Sequence, residues 1–279
     1  MSGRASRSLL LAVTLWGCSQ PGLDDAGIAA VGSASLAAVV TPQPRAHAHN
    51  DYAHPRPLLD ALEHGFCSVE ADVYLEGGAL LVAHLPFQTT PARTLRGLYL
   101  EPLRRRVAAA GGRVYPGQGF TLLVDVKSDA EATYAALRAQ LADYADLLTE
   151  FRAEGVEERA VTVLVSGNRA RAALAAESPR WAALDGRLPD LEGDAPSALI
   201  PLVSARWSAE FAWDGAGSMP EGERARLHEL VRRAHAQGRR LRFWGTPEAP
   251  ALWSELRAAG VDLIGTDELE RLRAHLEGE

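Results

Sequence analysis

Three acidic side chains in two strand-like segments could together hold a metal ion. Glu70 and Asp72 lie in the β-prone segment 66–74 and share one of its faces, because side chains alternate along a strand. Asp125 interrupts the apolar segment 120–127. Burying carboxylates together is costly, and a cation between them offsets that cost. Since carboxylate oxygens suit hard cations, these three residues are expected to bind Mg²⁺ or Ca²⁺; a salt-bridged pair on a solvated edge is the alternative.

A single lysine stands beside one of these carboxylates. Lys127 is the only lysine among 29 basic residues, and it follows Asp125 by two positions on the same face of the segment. Its compact ammonium can meet a phosphate oxygen as a point charge where a guanidinium fork would be too wide. We therefore expect Lys127 to bind phosphate. Pairing with Asp129 at the end of the segment is the alternative.

Histidines are concentrated in the same part of the chain. Five of the eight histidines lie between positions 47 and 84. His47 and His49 share one face of the first β-prone segment, and His84 follows the short apolar segment 79–83. Two imidazoles beside a metal form the acid/base pair that phosphodiester cleavage needs, one to activate the nucleophile and one to protonate the leaving oxygen. His47, His49 and His84 are therefore the candidates for this pair, and the spacing alone leaves the choice among them open.

Strand-like and helical segments alternate from residue 45 onward, which is typical of a parallel α/β domain. The eight strand candidates are 45–50, 66–74, 120–127, 160–166, 181–184, 198–203, 240–244 and 261–265. One long helix is expected over 130–154. Eight such units predict a (β/α)8 TIM barrel, whose chemistry lies at the carboxyl ends of its strands. A doubly wound sheet is less favoured, because no glycine-rich dinucleotide fingerprint follows the first strand.

Several of these segments resemble, in order and spacing, the motifs of phospholipase-C-like and glycerophosphodiester phosphodiesterase barrels. The matching residues are His49 and the segments 65–73, 81–84, 123–127 and 260–267. Segments 47–52, 211–215 and 242–244 resemble more closely the branch named for altered inheritance of mitochondria protein 6. The resemblance covers about residues 45–276. It implies an eight-stranded barrel and a divalent-metal phosphodiesterase, with an acid/base pair of His49 and His84 and with the ligands Glu70, Asp72 and Asp125.

Departures from the glycerophosphodiesterase pattern leave the head group of the substrate open. Those enzymes carry arginine, aspartate and glutamate at the positions that hold Asn50, Leu85 and Asp125 here. Asp125 with Lys127, and Trp244, are more similar to the sphingomyelinase D relatives, although the cysteine pair of those enzymes is missing. We expect Asn50 and Lys127 to share the charge on the phosphate. Trp244 either lines the site or packs in the core.

Composition narrows the function further. The 279 residues are 47% hydrophobic and 23% charged, with a net charge of −7, which is typical of a globular chain and unfavourable for nucleic-acid binding. The expected function is hydrolysis of a glycerophosphodiester or a (lyso)phospholipid. One alternative is a non-catalytic lipoprotein that keeps the metal to bind its ligand. Another is an amidohydrolase-type enzyme built on His47 and His49, which needs further histidines on later strands.

The first residues resemble an export signal. Two arginines precede the apolar run 9–16, which is too short to span a bilayer, and Gly17-Cys18 is similar to a bacterial lipobox. We therefore expect a lipoprotein signal peptide over 1–17, a lipid anchor on Cys18, a flexible tether over 18–43 and one barrel domain over 44–279. This organisation predicts an exported bacterial lipoprotein held at a membrane.

Overall fold

A computed structural model describes residues 40–278 of the chain. The expected signal peptide, Cys18 and nearly all of the expected tether lie outside the described residues, so the bounds of the signal peptide and of the tether stay predictions. Among the described helices, none is both long and apolar enough to cross a membrane.

The described residues form a closed barrel of parallel strands. The strands of the chain are β1 (Gln43–Ala48), β2 (Phe66–Glu76), β3 (Ala79–Val82), β4 (Phe120–Val126), β5 (Glu150–Arg152), β6 (Gly155–Glu157), β7 (Val161–Gly167), β8 (Ala183–Gly186), β9 (Leu202–Arg206), β10 (Arg240–Trp244) and β11 (Leu263–Thr266). Eight of them pair in the order β1-β11-β10-β9-β8-β7-β4-β2, and β2 pairs back to β1. The predicted (β/α)8 barrel is confirmed. Strand β3 pairs antiparallel with β2, and β5 and β6 form a separate hairpin.

Helices cover the outside of the barrel. They are α1 (Leu59–Glu63), α2 (Glu101–Ala109), α3 (Ala130–Ala142), α4 (Arg171–Ala175), α5 (Trp207–Glu210), α6 (Glu221–Ala236), α7 (Pro250–Ala259) and α8 (Leu269–Gly278). Helix α6 shows how they attach: it buries Leu227, Leu230, Val231 and Ala234, a spacing that places all four on one face.

The barrel interior is layered. An apolar layer crosses its middle, formed by Leu123, Leu164, Ala183, Leu202 and Leu263. Because side chains alternate along each strand, the inward residues two positions further on lie nearer the carboxyl ends. Those residues are polar on adjacent strands, where Asp72 pairs in register with Asp125, and Asp125 with Ser166. The apolar layer therefore separates two polar mouths of one barrel.

The expected long helix over 130–154 is wrong in its extent. Helix α3 ends at Ala142, and residues 150–157 form the hairpin β5–β6. Phe151 is buried, and its backbone N–H and carbonyl both pair with Arg180, at 2.9 and 3.0 Å. This tertiary pairing, which joins distant parts of the chain, overrides the local helical composition.

Two expected strands are displaced. Strand β9 begins at Leu202 rather than at 198, because Pro201 has no N–H to donate and Leu199 and Ile200 turn back onto the carbonyl of Pro196. Strand β8 extends to Gly186 rather than ending at 184. The second displacement matters for the site, since it places Asp185 among the inward-facing residues.

Candidate active site

Three carboxylates lie together at the carboxyl ends of β2 and β4. One oxygen each of Glu70, Asp72 and Asp125 lies within 4.8 Å of the other two. Asp72 Oδ1 and Asp125 Oδ1 are buried and have no hydrogen-bond partner. Buried polar atoms are almost always satisfied, and a divalent cation at this point would satisfy both oxygens. The residues present therefore fit a metal ion, as the spacing along the strands predicts.

Arg242 and His47 hold the carboxylate of Glu70 in place. Its Oε2 accepts a hydrogen bond from Arg242 Nη2 at 3.0 Å and lies 3.4 Å from His47 Nε2. Burial raises the pKa of Glu70, but the charge of Arg242 and the contact with His47 outweigh it and hold the pKa well below its ordinary value. Glu70 is therefore a carboxylate at neutral pH.

His47 serves this carboxylate and does not join a metal cluster. It is fully buried, and its Nδ1 lies 2.7 Å from Ser68 Oγ. Burial and the charge of Arg242 lower the pKa of His47 to about 4, so it is neutral at pH 7. Between residues 40 and 278, the candidate metal cluster contains no imidazole. The arrangement thus lacks the histidine ligands that the amidohydrolase alternative requires.

Lys127 bridges the other two carboxylates. Its Nζ lies 3.2 Å from Asp72 Oδ2 and 3.1 Å from Asp125 Oδ2, whereas Asp129 accepts from the Ala132 N–H and caps α3. Burial raises the pKa of Asp72 and of Asp125, and Lys127 only partly opposes the shift. Burial lowers the pKa of Lys127, but the two carboxylates outweigh it and the net shift is upward. Lys127 therefore carries its charge beside the two carboxylates, and its binding of phosphate stays a prediction.

Tyr52, which the sequence analysis did not identify, connects the carboxylates to a candidate catalytic histidine. Its hydroxyl lies 2.7 Å from Asp72 Oδ2, 2.6 Å from Asn50 Oδ1 and 2.9 Å from His84 Nδ1. A tight turn makes this possible, since Asn50 adopts a left-handed backbone, which asparagine tolerates better than most residues. The sequence signal was the tyrosine two residues after Asn50, but nothing local shows that the chain turns back over the barrel.

His49 is oriented from the other side of the mouth. Its Nδ1 lies 2.8 Å from Oδ1 of Asp267, which follows β11. Burial lowers the pKa of His49, but the hydrogen bond to Asp267 and the charges of Glu70 and Asp267 outweigh it and raise the pKa above 6.5. With Nδ1 held by Asp267, Nε2 is the nitrogen left to exchange a proton.

All eight residues selected from the sequence line one cavity of about 360 Å³: His49, Asn50, Glu70, Asp72, His84, Asp125, Lys127 and Trp244. The structure therefore brings together every predicted site residue. Trp244 is 38% exposed and lies at the end of β10, so it lines the cavity mouth instead of packing in the core. The side chain of His84 is 60% exposed, whereas that of Asp72 beneath it is buried.

The same cavity contains residues that the sequence analysis left out of the site. Asp185 is buried and accepts hydrogen bonds from Ser166 Oγ at 2.7 Å and from Ser204 Oγ at 2.6 Å. Arg187 Nη1 lies 3.0 Å from Asp185 Oδ2. Ser166, Asp185 and Ser204 lie on β7, β8 and β9, and Arg187 directly follows β8. Because the sequence analysis ended β8 at 184, it did not predict that these residues lie together.

Family models match two parts of this chain. Residues 34–112 match the AIM6-like phosphodiesterase domain, and residues 240–270 match the glycerophosphoryl diester phosphodiesterase family. Altered inheritance of mitochondria protein 6 of Eremothecium gossypii is 33% identical over 271 residues, which cover 81% of this chain and 68% of that protein. Its homolog in Arthroderma benhamiae is 26% identical over 82% of each chain.

Solved structures share the fold. The glycerophosphodiester phosphodiesterase from Agrobacterium tumefaciens superposes with a TM-score of 0.51 and 16% identity over 85% of this chain and all of that one. The enzyme from Parabacteroides distasonis gives the same TM-score and identity, over 98% of its chain. At this identity the likeness concerns the barrel alone.

The predicted bacterial lipoprotein is wrong. The matching curated relatives are fungal proteins, among them those of Eremothecium gossypii and Saccharomyces cerevisiae, and not bacterial lipoproteins. The prediction depended on one short apolar run before a cysteine, a pattern of a few residues that has little specificity. The resemblance to the family itself is confirmed: this chain, with its glycerophosphodiesterase-like barrel, belongs to the altered inheritance of mitochondria protein 6 family.

Proposed function

We propose that this protein is a divalent-cation-dependent phosphodiesterase that hydrolyses a glycerophosphodiester or the head group of a (lyso)phospholipid. The observation that carries the proposal is the pair of buried, unpartnered oxygens on Asp72 and Asp125, which lie in one cavity with two accessible imidazoles, His49 and His84. The family's phosphodiesterase domain supports the reaction class.

Phosphate binding falls to the centre of the cavity. Glu70, Asp72 and Asp125 would hold Mg²⁺ or Ca²⁺, which supplies Lewis-acid polarisation of the phosphate. Lys127 stands beside two of these ligands, and its ammonium stabilises negative charge that develops on the phosphate oxygens. Asn50 Nδ2 donates to Asp267 Oδ1 at 3.2 Å, beside His49, and the second N–H of this amide is left for the phosphate next to the imidazole.

Proton transfer falls to the two imidazoles. Asp267 accepts from His49 Nδ1–H, and Tyr52 holds His84 at Nδ1, so each ring presents Nε2 to the cavity. One histidine removes the proton from the attacking hydroxyl, and the other donates a proton to the leaving oxygen. Attack by water gives a phosphomonoester, whereas attack by a neighbouring hydroxyl of the substrate gives a cyclic phosphate.

Phosphorus NMR tests the proposal. The purified chain, with Mg²⁺ or Ca²⁺, is offered a panel of glycerophosphodiesters and lysophospholipids, with the Glu70→Ala/Asp72→Ala double variant as the control. We expect a new phosphomonoester or cyclic-phosphate signal that is absent in the control. A folded, metal-binding protein that leaves the whole panel unchanged would contradict the proposal and favour the non-catalytic binding protein.

A further inference from the structure

One wall of the candidate active-site cavity carries charge that the proposed reaction does not use. Arg187 lines this cavity together with Asp125 and Lys127, and it follows β8. Its position is built by buried groups: Asp185 is 1% exposed, and both of its carboxylate oxygens accept hydrogen bonds from serines on the neighbouring strands β7 and β9. The carboxylate is therefore fixed, and it fixes the arginine.

Contacts within the protein hold the guanidinium of Arg187 in place without using all of its N–H donors. Nη1 donates to the Asp185 carboxylate at 3.0 Å and to the Gly186 carbonyl at 2.8 Å, and Nη2 lies 3.3 Å from Ser166 Oγ. The side chain remains 36% exposed. Since a guanidinium carries five N–H donors in a rigid fork, donors remain for a ligand in the cavity.

The surroundings of Arg187 carry an excess of positive charge. Arg187 pairs with Asp185, and Arg171 pairs with Asp190 at 2.6 Å. Arg169 Nη1 donates only to the backbone carbonyl of Asp185, at 2.5 Å, and between residues 40 and 278 it forms no ion pair with a carboxylate. Around Arg187, three arginines therefore accompany two carboxylates. Burial and the charge of Arg187 lower the pKa of Arg169, and the charges of Asp185 and Asp190 only partly oppose that shift.

The charges around the three carboxylates are balanced once a metal ion and a phosphodiester are added. Glu70, Asp72 and Asp125 face Arg242 and Lys127. A divalent cation would leave one positive charge there, which equals the single negative charge of a phosphodiester. The excess charge beside Arg187 has no counterpart in that balance.

We infer that Arg187 forms an anion-binding subsite for the non-reacting end of the substrate, so that the preferred phosphodiester carries a second anionic group, a carboxylate or a phosphate. This inference rests on the proposed phosphodiesterase function. Fork-shaped pairing of a guanidinium with such a group is strong and directional. A cationic head group such as choline would instead be repelled from this wall.

A series of esters with one leaving group tests the subsite. Three p-nitrophenyl phosphodiesters differ only in the second alcohol, which is glycolate (anionic), methanol (neutral) or choline (cationic). We expect kcat/KM to fall in that order. Arg187→Gln should lower the glycolate-to-methyl ratio of kcat/KM about 30-fold, the size of one charge-assisted hydrogen-bonded pair. The ratio for Arg187→Lys should lie between those of the wild type and of Arg187→Gln, because lysine keeps the charge and loses the fork-shaped set of donors.

A matched variant and a binding measurement complete the test. Arg232→Gln removes the same charge from exposed α6, where Arg232 pairs with Glu229, and should leave the ratio unchanged. Calorimetry with the His84→Ala variant should show tighter binding of the glycolate ester than of the choline ester, and the added Arg187→Gln change should remove that difference. Phosphate monoesters of glycerol as competitors distinguish a phosphate-preferring subsite from a carboxylate-preferring one.

The outcomes separate the two proposals. If all three esters are hydrolysed equally and Arg187→Gln leaves their ratios unchanged, the anionic subsite is overturned while the phosphodiesterase function stands. If no ester is hydrolysed by the metal-loaded wild type, both proposals fail. If Arg187→Gln unfolds the chain, the glycolate-to-methyl ratio of Arg187→Lys decides instead. An equal ratio in Arg187→Lys and in the wild type would overturn the fork-shaped pairing of the guanidinium with the anionic group.

Discussion

Two cavities occupy the opposite ends of this barrel, and the larger one is not the candidate active site. The amino-terminal cavity measures about 670 Å³ and the carboxyl-terminal one about 360 Å³. The larger cavity contains Arg240, whose Nη1 lies 3.3 Å from Thr121 Oγ1. Within residues 40–278, the cluster of carboxylates that could hold a metal ion lies only at the smaller one.

The difference teaches that convergent ionisable groups locate chemistry better than volume does. At the carboxyl-terminal mouth, three carboxylates lie beside Lys127 and the two histidines, and two of their oxygens are buried without partners. Burying like charges together is destabilising unless a ligand offsets it, so such a cluster indicates function. At the amino-terminal mouth, residues begin strands and close the barrel, a role connected with stability. Five predictions test this contrast.

The largest effect is expected from the histidines. His49→Ala and His84→Ala should each lower kcat about 10³-fold, because each removes one partner of the proton transfer. Arg240→Gln in the other cavity should change kcat less than about twofold. Steady-state kinetics on a phosphodiester, with circular dichroism to verify folding, compares them. Near-normal activity of both histidine variants would contradict the placement of the active site at the carboxyl-terminal mouth.

A smaller effect is expected when Tyr52 loses its hydroxyl. Tyr52→Phe should lower kcat roughly 10-fold, since His84 loses the contact that orients it. The loss should be non-additive with His84→Ala, because both changes act on one group. Tyr115→Phe is the matched control, because the Tyr115 hydroxyl donates to the Leu62 carbonyl, far from the carboxylates. Equal losses in both tyrosine variants would indicate a merely structural role.

The thermal stability of an Asp72 variant should distinguish the two mouths of the barrel. Burial raises its pKa, so the ionised form destabilises the metal-free fold, and Asp72→Asn should raise Tm by about 2–4 °C in chelator at neutral pH. This gain should shrink as the pH falls from neutral towards 3.8, where the wild-type carboxyl takes up its own proton.

Metal should have the opposite effect. Excess Mg²⁺ or Ca²⁺ should raise the Tm of the wild type and of Glu158→Gln, a change in the amino-terminal cavity, but not that of Asp72→Asn. Differential scanning calorimetry measures all three proteins. A metal-induced rise that survives Asp72→Asn would place the metal elsewhere.

The smallest effect concerns pH. Asp267→Asn removes the negative charge that raises the pKa of His49 and leaves only a neutral amide oxygen as the acceptor, so the limb of the pH–rate profile governed by His49 should move to lower pH. Asp262→Asn, which breaks a similar aspartate–histidine pair with His235 away from the mouth, should not move it. Profiles of kcat/KM between pH 5 and 9 give both values, and an unmoved limb in Asp267→Asn would remove His49 from the proton transfer.

Much of the candidate site could be predicted from the sequence because a strand has a fixed period. Alternation along β2 placed Glu70 and Asp72 on one face, and the same period placed Asp125 with Lys127 at the carboxyl end of β4. Parallel strands then bring their carboxyl ends to one mouth. Local composition failed where distant contacts decide, as at the hairpin β5–β6, whose Phe151 pairs with Arg180.

The sequence by itself determined the barrel, the three carboxylates, the single lysine and the two histidines of the site. Only the tertiary structure decided their partners: Tyr52 for His84, Arg242 for Glu70, Asp267 for His49 and Asp185 for Arg187. Periodicity records the face on which a side chain lies. Which residue it meets across the barrel depends on the register of closure and on turns such as the one at Asn50, and these result from contacts along the whole chain.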